Sequence, residues 1–257
     1  VIRVGVVGAT GKMGREVCRA VAADPDLELV AAVSRSASGS TLADAIGLEG
    51  VDLVLEERLE ALAEADAEVL VDFTAAAFAP EHVAWAIAHG LHVVEGTTGF
   101  PIDDAWGEAA TGVFVAPNFA IGAVLMMRLA EQAARYLPAA EVIELHHDGK
   151  RDAPSGTAIA TARRIAAARE GVAAPPDAGG SEPTSRGASV DGVRVHSVRL
   201  PGLVAHQEVI LGGPGQTLTI RHDSLDRASF MPGVLMAVRA VPERPGLTVG
   251  LDALLEG

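Results

Sequence analysis

Residues 1–17 read VIRVGVVGATGKMGREV, and their reading decides the fold. The run from Val1 to Ala9 is short, apolar and rich in Val and Ile, the texture of a strand buried on both faces. Gly8, Gly11 and Gly14 follow at GxxGxxG spacing, and Met13, Val17, Ala20 and Val21 then recur at helical intervals. A strand that turns through glycines into a helix leaves free backbone N–H groups at the positive end of the helix, where a pyrophosphate can approach closely. The stretch is predicted to be a dinucleotide-binding turn. The alternative is a tight strand-to-helix turn without a ligand.

The same alternation continues outward. Strands are expected at LELVAAV (27–33), EVLVDFT (68–74), LHVVEGTTG (91–99, running into a glycine turn) and GVFVAPN (112–118). Helical patterns lie between them at 59–65 and at 80–90, the latter opened by Pro80 and closed by Gly90. Such alternation implies a parallel sheet covered on both faces. After Asn118 the texture changes. Helices are expected at 121–137 and 155–169, a strand at 141–147, and an irregular Pro/Gly/Ser-rich loop at 171–192. Three alternating runs, 193–200, 203–211 and 216–222, read as an antiparallel meander, and 230–241 reads as a final helix. The fold class is therefore α/β, with a Rossmann-like parallel-sheet domain followed by a second α+β domain whose sheet is mainly antiparallel.

Composition bounds the function. With 257 residues, 49% of them apolar, the chain can build one large or two modest cores. A net charge of −14 disfavours nucleic acid and anionic membranes as partners. No apolar run approaches a spanning helix, and Val1 begins a strand-like run rather than a signal peptide. Cys18 is the single cysteine, expected in the core of the first helix, so no internal disulfide forms. A cytoplasmic location is expected.

At the end of the second strand, AAVSRS places Ser34 and Arg35 where the Rossmann pattern carries an acid for the ribose hydroxyls. No carboxylate there repels a 2′-phosphate, Arg35 can pair with one, and Lys12 adds a second positive charge. NADPH is therefore the preferred coenzyme, with NADH possible. GTTG (96–99) and APN (116–118) end later strands of the same sheet, where they would line the nicotinamide side.

HHDGKRDAPSGTA (146–158) gathers positive charge in an acidic protein. Ser155 is a good N-cap, so the N–H groups of Gly156 and Thr157 open the following helix as an anion seat. Strand alternation puts Val142, Glu144 and His146 on one face, and Ile143, Leu145 and His147 on the other. A helix start, Lys150 and two imidazoles suit a small carboxylate, and a nearby imidazole can donate a proton near neutral pH. No metal site is expected, because the lysine disfavours a cation and no second ligand cluster accompanies the histidines. His82, His89 and His92 read as ordinary helix or turn residues.

EVIELHHDGKRDAPSGTA (141–158), GATGKMG (8–14), GTTGF (96–100) and APNF (116–119) together resemble the motifs of the dihydrodipicolinate reductase family in order and spacing. HSVRLPGLVAHQEV and RHDSLDRASFMPG are similar to its C-terminal sheet and return helix, so the resemblance covers essentially the whole chain. It implies reduction of 4-hydroxy-tetrahydrodipicolinate, with loss of water, in the diaminopimelate route to lysine. It further implies His146 as proton donor, Lys150 as catalytic lysine, and His147, Gly156 and Thr157 as contacts to the dicarboxylate. The coenzyme contacts it implies are Gly8, Ala9, Thr10, Gly11, Lys12, Met13, Ser34, Arg35, Gly96, Thr97, Thr98, Ala116, Pro117, Asn118 and Phe119. The domains it implies are residues 1–118 with 228–257 for the coenzyme, and 119–227 for substrate binding and assembly of a homotetramer. The chain departs from the family at Ser34, at Ala120 and at Glu95, which stands where an apolar residue is common. A buried acid is costly unless paired, so Glu95 is expected to be solvated or near a base. The alternatives are a reductase of another cyclic imine acid and an NADPH-binding redox sensor. The sensor has no need of a His/Lys pair beside an anion seat.

Overall fold

The computed structural model describes residues 1–169 and 185–255. In chain order the first elements are β1 (Ile2–Val7), α1 (Gly14–Ala23), β2 (Leu27–Val33), α2 (Leu42–Ile46), α3 (Glu60–Glu64), β3 (Val69–Asp72), α4 (Ala79–Ala88), β4 (His92–Glu95) and β5 (Gly112–Val115). They are followed by α5 (Ile121–Ala134), β6 (Ala139–His146), α6 (Gly156–Ala168), β7 (Ala188–Val190), β8 (Val193–Arg199), β9 (Ala205–Gly213) and β10 (Gln216–Ser224). The last are α7 (Met231–Ala240) and β11 (Gly246–Val249). The chain divides into two compact units, Val1–Phe119 with Phe230–Gly257, and Ala120–Ser229. Among the described residues no helix is long and apolar enough to cross a membrane.

The first unit is built on a six-stranded sheet in the order β11-β5-β4-β3-β1-β2, with every pairing parallel. Helices cover the sheet, so its central strands are largely apolar: all four residues of β3 and of β5 are buried, Asp72 at the end of β3 being the one charged group among them. The registers align one C-terminal edge, on which Val33, Val7, Asp72, Glu95, Val115 and Val249 stand side by side. Two of those six are acids. Cys18 is buried in α1. The 230–241 helix is not the last element, since β11 follows it and joins the sheet at the edge beside β5. The pattern at 246–249 is too short to announce that strand, and α2 is likewise a single turn capped by Thr41.

The second unit has a five-stranded sheet in the order β10-β9-β6-β8-β7. The expected meander is corrected here. β9 and β10 form an antiparallel hairpin, but β8 does not pair with β9; β6 lies between them and runs parallel to β8. Alternation along a strand reports which face is buried and says nothing of its neighbour. β6 takes the centre because its inward residues, Val142 and Glu144, are wholly buried. Most of the 171–192 loop lies outside the described residues; its end, 188–190, is β7, paired with β8.

Candidate active site

The coenzyme-type features gather above the C-terminal edge of the first sheet. Gly8 has a φ of 78°, a conformation that a side chain would strain. A Cβ on Gly14 would collide with the Gly8 carbonyl, so α1 starts against bare backbone. These are the conditions a pyrophosphate needs, and the residues fit a dinucleotide. A cleft of about 640 Å³ opens there, lined by Gly8, Thr10, Gly11, Ser34, Arg35 and Phe78 among others.

At the end of β2 the Ser34 hydroxyl is buried and lies 2.6 Å from Thr10 Oγ1, which also reaches Ser36. Arg35 is exposed, its guanidinium 4.2 Å above the Phe78 ring centroid, which stiffens an otherwise mobile cation. Arg58, overlooked in the sequence, lines the same cleft. Ala9 is buried beneath the turn, Lys12 is exposed, and Met13 is the N-cap of α1. Gly96, Thr97 and Thr98 follow β4 directly, and Ala116, Pro117 and Asn118 follow β5. Phe119 is 2% exposed and packs against Phe73 and Phe114, so its side chain is a core group.

The expectation for Glu95 is overturned. It is fully buried, and its register partner on β3 is another acid, Asp72. His82 was read as an ordinary helix residue, yet its Nδ1 lies 2.5 Å from Asp72 Oδ2. Nothing local in the sequence announces these contacts, because they depend on the sheet register.

In the second unit the candidate catalytic groups sit where β6 ends. Glu144, wholly buried, accepts two hydrogen bonds from Arg199 (Nη1 and Nη2, 2.8 Å each) and one from the Ser155 N–H at 3.2 Å. Its Oε2 is also 2.5 Å from His146 Nδ1. A carboxylate accepts only, so the hydrogen of His146 resides on Nδ1 and Nε2 is left for proton exchange. Burial alone would raise the Glu144 carboxyl; Arg199, Ser197 and His146 together hold it below its ordinary value. Burial lowers His146, against the opposing pull of Glu144.

Arg199 does more than pair with Glu144. Its Nε donates to the Lys150 carbonyl and its Nη2 to that of Asp152, which ties the 150–152 loop to the strand. Lys150 Nζ meets both Asp152 carboxylate oxygens at 2.8 Å, and this ion pair holds the Asp152 carboxyl down. Ser155 caps α6 by accepting from the Ala158 N–H. Gly156 is exposed with open space where a Cβ would stand, and Thr157 is half-buried. The first-turn N–H groups of α6 have no acceptor within the helix.

His146, Lys150, Gly156 and Thr157 therefore belong to one strand–loop–helix segment. His147 lies just beyond the end of β6 and is exposed. Sequence reading missed Glu144, Arg199 and Asp152. The signal for Glu144 was present, as an acid two residues before His146 on the same buried face. No local signal marks Arg199, which lies 55 residues from Glu144.

Two family models match nearly end to end: "Dihydrodipicolinate reductase, N-terminus" over residues 2–119 and "Dihydrodipicolinate reductase, C-terminus" over residues 122–255. The chain is 54% identical to the 4-hydroxy-tetrahydrodipicolinate reductase of Nocardia farcinica over 265 aligned residues, covering 99% of both chains. It is 52% identical to that of Cutibacterium acnes, covering 99% of this chain and 98% of the relative. A solved structure, the dipicolinate-bound dihydrodipicolinate reductase from Paenisporosarcina sp. TG-14, superposes with a TM-score of 0.86 at 40% identity, covering 98% of this chain and 99% of that one.

Proposed function

We infer the chemistry from one premise: the chain belongs to the dihydrodipicolinate reductase family. It reduces 4-hydroxy-tetrahydrodipicolinate to tetrahydrodipicolinate with loss of water, using NAD(P)H, in the diaminopimelate route to lysine. The observation that carries this reading is the single strand–loop–helix segment that joins a carboxylate-oriented imidazole, a lysine and a capped helix start.

The nicotinamide coenzyme supplies a hydride when bound. The first unit holds it through the glycine turn at 8–14 and through the turns after β4 and β5. The second unit holds the substrate and forms the tetramer through its sheet. Lys150 and the N–H groups of Gly156 and Thr157 bind the substrate carboxylates, with His147 beside them. His146 delivers the proton that the reduced carbon framework takes up. It does so from Nε2, because Nδ1 is committed to Glu144. Burial leaves His146 largely neutral in the free protein; a dianionic ligand alongside favours its cation and so arms it for donation.

Ser34, Arg35 and Arg58 around the cleft support a preference for NADPH, with NADH also accepted. The test is coenzyme oxidation with 4-hydroxy-tetrahydrodipicolinate, measured with each coenzyme. Turnover inhibited by 2,6-pyridinedicarboxylate supports the reading. Turnover only of another cyclic imine acid, insensitive to that inhibitor, overturns the substrate. Efficiency at least about tenfold better with NADH, or roughly 1.4 kcal/mol, overturns the coenzyme preference. Light scattering of the eluted protein checks the tetramer.

A further inference from the structure

The first sheet holds a buried acid pair that the reaction above does not use. Glu95 ends β4 and Asp72 ends β3, adjacent in register, and both are 0% exposed. Asp72 Oδ1 accepts from the Thr74 N–H at 2.7 Å, and its Oδ2 lies 2.5 Å from His82 Nδ1. Its carbonyl accepts from the Gly96 N–H at 2.9 Å. Glu95 Oε1 accepts from the Thr97 N–H at 2.6 Å, whereas Glu95 Oε2 is buried and has no hydrogen-bond partner among the described residues.

An ionised Glu95 would set that bare oxygen against a neighbouring carboxylate, both side chains being out of reach of bulk solvent. A proton on Oε2 turns the repulsion into a hydrogen bond to Asp72. Burial first, and then the charge of Asp72, push Glu95 up to about 8, against the opposing hydrogen bonds of Thr97.

Other charges do not answer it. β5 offers Val115 as the register partner of Glu95. On α4, Glu81 is exposed and His89 bonds the Trp85 carbonyl. On α7, Arg239 pairs with Asp24, and Glu243 in the turn beyond is exposed. His92, at the opposite end of β4, accepts from the Gly112 N–H.

We propose that Glu95 is a positioning residue for the coenzyme: as a neutral acid it donates to Asp72 and accepts from Thr97, and so clamps the 73–74 and 96–98 turns together. Phe73, Thr74 and His82 line the coenzyme cleft, and a Cβ on Gly96 would run into the Phe73 ring, so the two turns are in close contact. The inference rests on the coenzyme reading above. Once Glu95 ionises, the clamp is replaced by two facing carboxylates and the turns separate.

The experiment is NADPH titration of the protein, followed by fluorescence quenching of Trp85 at the cleft, for the parent and for Glu95→Gln. From about pH 7 to about pH 9 the parent Kd should rise several-fold, up to about tenfold for a group titrating near 8. The Gln amide donates to Asp72 and accepts from Thr97, so the variant should bind near the parent's neutral-pH affinity and stay flat across that range. A parallel rise in both proteins overturns the inference. No NADPH binding by the parent at any pH removes the coenzyme reading instead. Infrared spectroscopy of the parent is independent of the variant's folding. A protonated-carboxyl stretch should persist at neutral pH and fade as the pH is raised through about 8, and its absence at neutral pH also overturns the inference.

Discussion

Glu95 and Glu144 are both wholly buried acids near the C-terminal end of a strand, one in each unit, and the protein treats them oppositely. Glu144 is surrounded by donors: a bidentate guanidinium, a backbone N–H and an imidazole N–H. It is an anion, held below its ordinary value, and its charge orients His146. Glu95 has Thr97 as its donor and an acid for a neighbour, and its carboxyl is pushed up to about 8. A buried carboxyl is thus an electrostatic instrument or a neutral hydrogen-bonding strut according to how many donors converge on it.

The sharpest way to break this contrast is to remove the charge from Glu144. Glu144→Gln leaves the half-buried Arg199 without its counter-charge, so unfolding should become easier by up to about 3 kcal/mol, measured by urea titration at neutral pH. A loss near zero would mean the pair is solvated, and the contrast would fail. The pH dependence has opposite signs at the two sites. Glu144, with its folded value lowered, contributes stability that is present above 4.5 and is lost as the pH falls through the folded value. Glu95, with its folded value raised, contributes stability that is full below 4.5 and is lost as the pH rises through about 8. Melting temperatures across pH should therefore show Glu95→Gln losing less stability than the parent between those limits. Glu144→Gln should flatten the acid limb.

Removing the imidazole that Glu144 orients has a smaller and purely kinetic consequence. His146→Gln should lower kcat by about a hundredfold or more while leaving NADPH affinity within about twofold. Equal turnover would remove the proton-donor role. Smallest is the effect at the coenzyme cleft. Arg35→Ala should weaken NADPH by roughly tenfold and NADH by much less, as expected when one charged contact to a 2′-phosphate is lost. Equal loss for both coenzymes would show that Arg35 serves only through its packing on Phe78.

How far these features were legible follows from how local they are. The glycine turn, the β/α alternation and the segment from His146 to Thr157 are contiguous, and each carries its own punctuation: Gly8 and Gly14, Pro80 and Gly90, Ser155. What escaped depends on which strands become neighbours. Glu95 could be seen to break an apolar run, but only the β3–β4 register reveals Asp72 beside it. Arg199 reads as one more cation at a strand end until β8 pairs in parallel with β6 and brings it level with His146. The same crossing defeated the meander, because hydrophobic alternation is identical in a strand paired on either side.

The bidentate contact between Lys150 and Asp152 has a consequence for selectivity. In the free protein the lysine already faces a carboxylate, so substrate binding at Lys150, as proposed, would be an exchange of one carboxylate for another. The resident carboxylate is tethered two residues away and therefore present at high effective concentration. A free monocarboxylate from solution must displace it with nothing to add and binds poorly. On the same proposal, a dicarboxylate would bring a second anchor to the start of α6 and win the exchange. Asp152 would thereby act as an internal competitor that screens out simple acids. Asp152→Asn should tighten acetate binding more than it tightens 2,6-pyridinedicarboxylate, as calorimetric titration of both ligands would register, and equal gains for the two would deny it that role.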